Sequence, residues 1–527
     1  MRIALPLFRC SPSLYTHIGL ARPLLPSRIA AAAPSTHSHA SGRRGIKSKS
    51  TSVMQRPKIN PNAIFANTEV WLDKIDVYGF DFDYTLGNYT RAMESTIYEM
   101  ARDILVRDFS YPSVLTTMGY KEDFAIRGLC FDTKKGVLAK INSRYNVELG
   151  SAYLGHKKLS AQEVKLLYNG SRRLPSSYVE KYCRISYDTY CLPEATLLCD
   201  VVQVMREQNI SFDPLMVFKD VRFALNKVHS GATEMQHGDV YGKKSLYKGI
   251  HWKVMEEPDK YLEACPRLVE YICRLREHGK KVFILTNSPY QYLDAGMKYI
   301  LSGDKSKPYT DWRFLFDAVM VSSKKPSFYT SDAPFRSYNV ASHSLLWNHV
   351  SELTPGNVYA GGSLREFSRL TGWKGSRILY LGDHLYADLK DASQLHSWTT
   401  GVVVKELKND IEVANTLEYR MLVDRVIEVE QSINLELASQ THMTDESLAA
   451  DEKIIFALAE RDELRKSIKK CFSSHFGSPF RTFHNPSMFG FNIQLYADLY
   501  TSDVLNFLDY PLSYRFYQKR RFLPHEV

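Results

Sequence analysis

Four short clusters in this chain combine residue types that could handle a phosphoryl group. The first is Asp81-Phe82-Asp83-Tyr84-Thr85. Two carboxylates two apart on an extended segment leave on the same side, so both can address one substrate. One can attack as a nucleophile, while the other protonates the leaving group and then deprotonates a water. The second cluster, Thr286-Asn287-Ser288-Pro289, offers donors to phosphate from Thr286 and Asn287. The third, Ser322-Ser323-Lys324-Lys325-Pro326, offers the Lys325 ammonium for the phosphoryl oxygens. The fourth, Gly382-Asp383-His384-Leu385-Tyr386-Ala387-Asp388, adds two more acids. Four carboxylates converging on one place repel one another unless a cation sits among them. Mg²⁺ suits such a set, because it takes one or two carboxylates, keeps waters and accepts a phosphate oxygen. The chemistry implied is in-line transfer of a phosphoryl group to Asp81, then hydrolysis of the aspartyl-phosphate.

Each cluster closes a short apolar run. Ile75-Asp76-Val77-Tyr78-Gly79-Phe80 precedes the first, Val282-Phe283-Ile284-Leu285 the second, Ala318-Val319-Met320-Val321 the third and Ile378-Leu379-Tyr380-Leu381 the fourth. A fifth run, Val402-Val403-Val404, follows Gly401. Such runs, alternating with helical patterns like Leu268, Ile272 and Leu275 ahead of Gly279, indicate an α/β fold with a parallel sheet covered on both faces. In these sheets ligands bind outside the carboxyl ends of the strands, which is where all four clusters fall. Thr286 lies 205 residues beyond Asp81, whereas a strand–helix–strand unit needs only about 30. A domain-sized insert is therefore expected over 91–261, as a cap on the catalytic edge, between core segments 54–90 and 262–422. Beyond Leu422 the pattern turns helical, and the last 56 residues hold 14 Phe or Tyr. Disordered tails are poor in aromatics, so 423–527 is expected to be a helical extension packed on the body or on another subunit.

Composition narrows the class. The chain has 527 residues, 44% hydrophobic and 24% charged, which excludes a fibrous, collagen-like or largely disordered protein. It holds no run of about 18 apolar residues, so no membrane-inserted helix is expected. Eight cysteines without a CxxC pair point to free thiols in a reducing compartment. The net charge of +10 is carried by the first 68 residues, which hold ten basic side chains and no acid. The rest of the chain is balanced, at 58 basic and 58 acidic residues, which argues against a nucleic-acid polymer as ligand. Residues 1–53, rich in Arg, Ser, Ala and Pro, have the composition of a mitochondrial presequence, with the matrix as destination. Arg9 interrupts Leu5-Pro6-Leu7-Phe8 too early for a secretory signal, and Met54 could start a shorter, cytosolic form.

With these residues in view, the chain resembles the haloacid dehalogenase phosphohydrolases, in Asp81-x-Asp83-x-Thr85, Thr286, Lys325 and Gly382-Asp383-x4-Asp388. More narrowly, it is similar to their purine 5′-nucleotidase branch, and most of all to the 5′-nucleotidase domain-containing proteins. The carriers of that likeness are Gly79 to Leu86, Phe124-Ala125-Ile126-Arg127-Gly128-Leu129, Thr286-Asn287-Ser288, Lys325-Pro326, Leu370-Thr371-Gly372-Trp373, Gly382-Asp383-His384 and Phe476 to Thr482. The resemblance implies a doubly wound, Rossmann-like core with an inserted cap, Asp81 as nucleophile and Asp83 as acid/base. It also implies phosphate binding by Thr286 and Lys325. Mg²⁺ would be held by Asp81, Asp383 and the backbone carbonyl of Asp83, with Asp388 supporting that site. It further implies a nucleoside 5′-monophosphate substrate and a homo-oligomer, a dimer or tetramer. In the cap, Tyr190-Cys191 stand where the purine enzymes carry Phe-Asn, and Arg222, Asn226 and His229 fall on their nucleotide-binding helix, with Asn226 in place of an Asp. Base preference is therefore unassigned. Two other readings compete: a scaffold that keeps this fold without useful turnover, and a phosphotransferase in which a nucleoside hydroxyl intercepts the aspartyl-phosphate.

Overall fold

Along the strand Lys281–Leu285, successive side chains enter different layers: Val282 and Ile284 join one hydrophobic cluster, Phe283 and Leu285 another. The same alternation separates Tyr78 from Val77 and Leu379 from Tyr380. A strand has a period of two, so a sheet whose odd and even residues are both buried must be covered on both faces. The cover on one side includes Leu268, Ile272 and Leu275 of the helix Arg267–Glu277 and Leu293, Met297 and Ile300 of Tyr290–Ser302. The other side receives Leu364 and Phe367 of Leu364–Thr371 and Leu407 and Ile411 of Glu406–Ala414.

The computed structural model describes residues 57–188, 190–230, 249–439, 451–521 and 523–526. The expected presequence lies outside the described residues. Among the described residues ten strands form the main sheet, in the order Phe65–Ala66, Leu499–Thr501, Thr399–Val403, Ile378–Gly382, Val77–Phe80, Lys281–Leu285, Ala318–Val321, Val358–Gly361, Phe335–Asn339 and Ser344–Leu345. From Leu499–Thr501 to Val358–Gly361 every pairing is parallel, and the outer pairings are antiparallel. The protein is thus a mixed α/β fold built on a large, mainly parallel sheet.

Between Phe80 and Lys281 the chain leaves this sheet and builds a second one. It is antiparallel throughout, with the order Lys157–Lys158, Val147–Leu154, Val137–Ile141, Leu129–Asp132 and Cys183–Ile185. Helices Arg91–Phe109, Cys191–Glu207 and Pro214–Ser230 accompany it. The outgoing and returning chains lie side by side: Thr90 N–H donates to the Tyr261 carbonyl (2.9 Å), and Glu263 N–H to that of Asn88 (2.9 Å).

The C-terminal part departs from an all-helical extension. Helices Leu417–Ser439 and Glu452–Lys470 pack on each other. After the helix Met488–Tyr496, however, Leu499–Thr501 enters the main sheet beside Thr399–Val403. Leu499 and Thr501 are both 1% exposed, so the aromatic-rich end is built into the core. Its apolar stretch is too short and too mixed to signal a strand by periodicity.

Candidate functional site

Strand order brings the four clusters together. Ile378–Gly382, Val77–Phe80, Lys281–Leu285 and Ala318–Val321 are successive neighbours, so the residues that follow them share one edge of the sheet. Asp81 N–H still donates to the Leu381 carbonyl (2.9 Å), and Thr286 N–H to that of Met320 (3.0 Å), which carries the sheet's register into the loops. The loops after Leu285 and Val321 are then tied directly. The Asn287 amide accepts from Lys325 N–H (2.6 Å) and donates to the Lys325 carbonyl (3.0 Å), and Ser323 Oγ donates to the Thr286 carbonyl (2.9 Å). Asn287 thus spends both ends of its amide on presenting Lys325. Thr286 is fully buried, and its Oγ1 accepts from Ser288 N–H (3.1 Å). Ser322 and Lys324 adopt left-handed conformations (φ 48° and 58°), which non-glycine residues hold only where their surroundings enforce them.

Lys325 is the centre of the charge network. Its ammonium lies 2.6 Å from Asp388 Oδ1 and 3.0 Å from Asp81 Oδ1. It also donates to the Leu285 carbonyl (2.9 Å) and the Tyr380 hydroxyl (2.8 Å). Burial disfavours this charge, but the Asp388 and Asp81 carboxylates more than compensate and hold the Lys325 pKa above its ordinary value. Asp388 sits on a π-helical turn, Leu385–Lys390, a bulge of the kind often found at functional sites. Gly382 makes room for it, since a Cβ there would lie 2.5 Å from Asp388 Oδ2. That oxygen accepts from His384 N–H (3.1 Å), while His384 Nδ1 accepts the N–H groups of Tyr386 and Ala387 (3.2 and 3.0 Å). Nδ1 is therefore the unprotonated nitrogen, and Nε2 lies 3.5 Å from Asp188 Oδ2.

Asp81, Asp383 and Asp388 are all buried, and one oxygen from each falls within 4.8 Å of the others. Burial, outweighing the pull of Lys325, pushes the Asp81 carboxyl up to about 7. Asp383 is pushed well above the carboxylate range by burial and by Asp388, against a smaller pull from Arg127. Among the described residues Asp383 Oδ2 has no hydrogen-bond partner, and neither has Arg127 Nη1, 4.0 Å from it. A buried carboxylate oxygen left without a partner is costly, and hard oxygen donors at this density fit a divalent cation such as Mg²⁺. Asp81 and Asp383 offer the open oxygens. Asp388 is already engaged with Lys325 and His384, so its place in the group is to hold both.

Asp83 faces a different set. Its Oδ1 accepts from the hydroxyls of Tyr89 and of Tyr190 (3.1 Å), and its Oδ2 from Ser288 Oγ (2.5 Å). Tyr89 in turn contacts the Tyr292 hydroxyl (2.7 Å). The rings of Tyr84, Tyr190, His229, His251 and Tyr292 wall this side. Burial pulls the His229 pKa down to about 4, helped by His251 and opposed by Asp188.

Of the four residues expected to meet a nucleotide, Tyr190 thus lies on Asp83, and His229 packs against the Tyr190 ring. Arg222 instead pairs with Glu194 (2.9 Å), and Asn226 lies exposed on the same helix. Glu194 and Arg222, with Cys191, Phe131 and Phe218, line a cavity of about 140 Å³ behind the Tyr190–Cys191 turn. Glu194 Oε1 is buried there without a hydrogen-bond partner among the described residues.

Several residues at the site escaped sequence reasoning. Arg127 is fully enclosed beside Asp383 and makes a forked pair with Glu406, 279 positions away, through Nε (2.7 Å) and Nη2. Its motif was visible, but its partner carries no local signal. Ser288 stood in a recognised triplet without a role, and Tyr89, Tyr292, Tyr380 and His251 had no distinguishing pattern.

The comparisons with known proteins agree with this geometry. The model of the 5′ nucleotidase family matches residues 64–527. A 5′-nucleotidase domain-containing protein of Dictyostelium discoideum is 36% identical over 473 residues, 89% of this chain and 76% of its own length. The 5′-nucleotidase domain-containing protein 2 of Homo sapiens is 37% identical over 479 residues, 89% of this chain and 86% of its own, and the Rattus norvegicus protein of that name is 36% identical over 478, with shares of 89% and 81%. With a family model matched from the first strand of the sheet to the last residue, and the motif residues gathered on one edge, the chain belongs to the 5′ nucleotidase family.

Proposed function

We propose that this protein is a Mg²⁺-dependent 5′-nucleotidase that converts a nucleoside 5′-monophosphate to nucleoside and phosphate through an aspartyl-phosphate at Asp81. The observation that carries the reading is the Lys325 ammonium held between Asp81 and Asp388 beside an unpartnered Asp383 oxygen. Asp81 Oδ1 accepts Phe82 N–H (2.8 Å) and faces Lys325, which leaves Oδ2 to attack phosphorus. As the bond from phosphorus to the 5′-oxygen breaks, Asp83 gives that oxygen a proton. Asp83 then takes a proton from water, which attacks phosphorus and frees the Asp81 carboxylate. Lys325 and the Thr286 hydroxyl meet the phosphoryl oxygens, and Asn287 keeps the Lys325 loop in place. Asp81, Asp383 and the Asp83 carbonyl would hold Mg²⁺, with Asp388 in support. When bound, the ion neutralises the crowded acids and polarises the phosphoryl group.

The insert serves as the cap. It brings Tyr190 onto Asp83, with His229 against the Tyr190 ring, and the base extends toward the cavity of Glu194 and Arg222. The test is phosphate release from a nucleoside 5′-monophosphate panel with Mg²⁺. Wild type is expected to exceed Asp81→Asn by at least about 10³-fold. Equal rates would leave the scaffold reading standing.

We also place the protein in the mitochondrial matrix, on the acid-free composition of residues 1–53. A fluorescent reporter behind residues 1–60 is expected to enter mitochondria, and a diffuse cytosolic signal would refute the address.

A further inference from the structure

Asp83 is held from two parts of the molecule. Tyr89 and Ser288 belong to loops of the main sheet, whereas Tyr190 opens the helix Cys191–Glu207 of the insert, 107 positions further on. Among the described residues, Tyr190 is the insert's one hydrogen-bond donor to this carboxylate. Its ring is itself fixed, edge-on to Tyr84 (4.9 Å between centroids, 80°) and to His229 (4.9 Å, 88°). A carboxylate has about two acceptor positions on each oxygen. The hydroxyls of Tyr89 and Tyr190 fill both on Oδ1, and Ser288 fills one on Oδ2. A single position, on Oδ2, is left to face a substrate.

We propose that Tyr190 is a positioning residue: its hydroxyl ties the insert to Asp83 and turns the carboxyl so that Oδ2 is the oxygen that exchanges protons with the substrate. The proposal rests on the nucleotidase reading. In the step concerned, the proton on Asp83 Oδ2 passes to the 5′-oxygen as the P–O bond breaks, and that bond's electron pair stays on the 5′-oxygen. Seating of the insert is then felt at the proton donor itself, and a base contact by the Tyr190 ring is not what matters most.

The leaving group makes this testable. A sugar 5′-oxygen must be protonated as it departs, whereas 4-nitrophenolate is stable without a proton. Tyr190→Phe keeps the ring and removes only the hydroxyl. With a nucleoside 5′-monophosphate and with ribose 5-phosphate, the variant is expected to lose about tenfold in kcat by the same factor, with KM changed less than about twofold. With 4-nitrophenyl phosphate, kcat/KM, which ends at departure of the leaving group and leaves out the hydrolysis that Asp83 also serves, should fall less than about twofold. A melting curve matching wild type would confirm that the fold is kept. A loss seen only as a higher KM for the nucleotide would make Tyr190 a base contact and overturn the proposal. So would an equal loss of kcat/KM on all three substrates, which would mean general damage to the phosphate site, or no loss at all. In each of those cases wild type still turns over and the nucleotidase reading stands. Wild type inactive on every substrate would overturn that reading and this one together.

Discussion

Replacing Lys325 by Met keeps most of the side-chain stem and deletes one ammonium, and the structure says what that leaves behind. The Asp388 side chain is 1% exposed and that of Asp81 11%. Each would lose its one ion-pair partner among the described residues. Removing one member of a buried pair costs about 3–5 kcal/mol, because the other charge is left desolvated and uncompensated. The cost depends on pH. Burial already raises the Asp81 pKa from 3.8 to about 7. A carboxyl raised in the folded state contributes stability that is complete below its unfolded value and is lost as pH rises through the folded one. Without Lys325 the Asp81 carboxyl rises further, so the variant protonates it and evades most of the penalty at pH 5, but bears it at pH 8.

Urea unfolding in EDTA at both pH values measures this. Lys325→Met should be about 3–5 kcal/mol less stable than wild type at pH 8, and less than half of that at pH 5, with an unchanged urea slope. Lys325→Met/Asp388→Leu should recover part of the deficit, giving a coupling energy of at least about 2 kcal/mol in the double-mutant cycle. A deficit below about 1 kcal/mol at pH 8, or one that does not change with pH, would refute the picture of an ammonium clasped by two buried carboxylates.

Two further outcomes are expected beyond the Asp81→Asn and reporter assays. Asp383→Asn removes a charge from the open oxygen pair, so Mg²⁺ affinity, measured by the metal-induced rise in Tm, should fall at least about tenfold. His229 is held at about 4, below its ordinary 6.5, so the stability it contributes is present above 6.5 and lost as pH falls through 4. Wild type should lose about 3 kcal/mol from this group over that window. His229→Phe keeps a ring beside Tyr190, and a urea-midpoint curve just as steep in acid would count against the buried, neutral imidazole.

What could be read in the chain alone was whatever leaves a local pattern. Apolar runs ending in Asp81, Thr286, the Lys324-Lys325 pair and Gly382-Asp383 announce strands with polar ends, and parallel-sheet geometry puts those ends on one edge. The 204 residues between Asp81 and Thr286 likewise announce an insert by length. Tertiary structure decided the rest. Leu499–Thr501 is a strand because Thr399–Val403 offers it an edge and the core buries it, not because its sequence alternates. Glu406 matters because it meets the Arg127 guanidinium across 279 positions, and Tyr190 because its hydroxyl reaches Asp83 across 107. Periodicity records which face of its own element a residue occupies. Which two side chains share a buried charge or proton depends on how separate elements pack, and that information is spread over the whole chain.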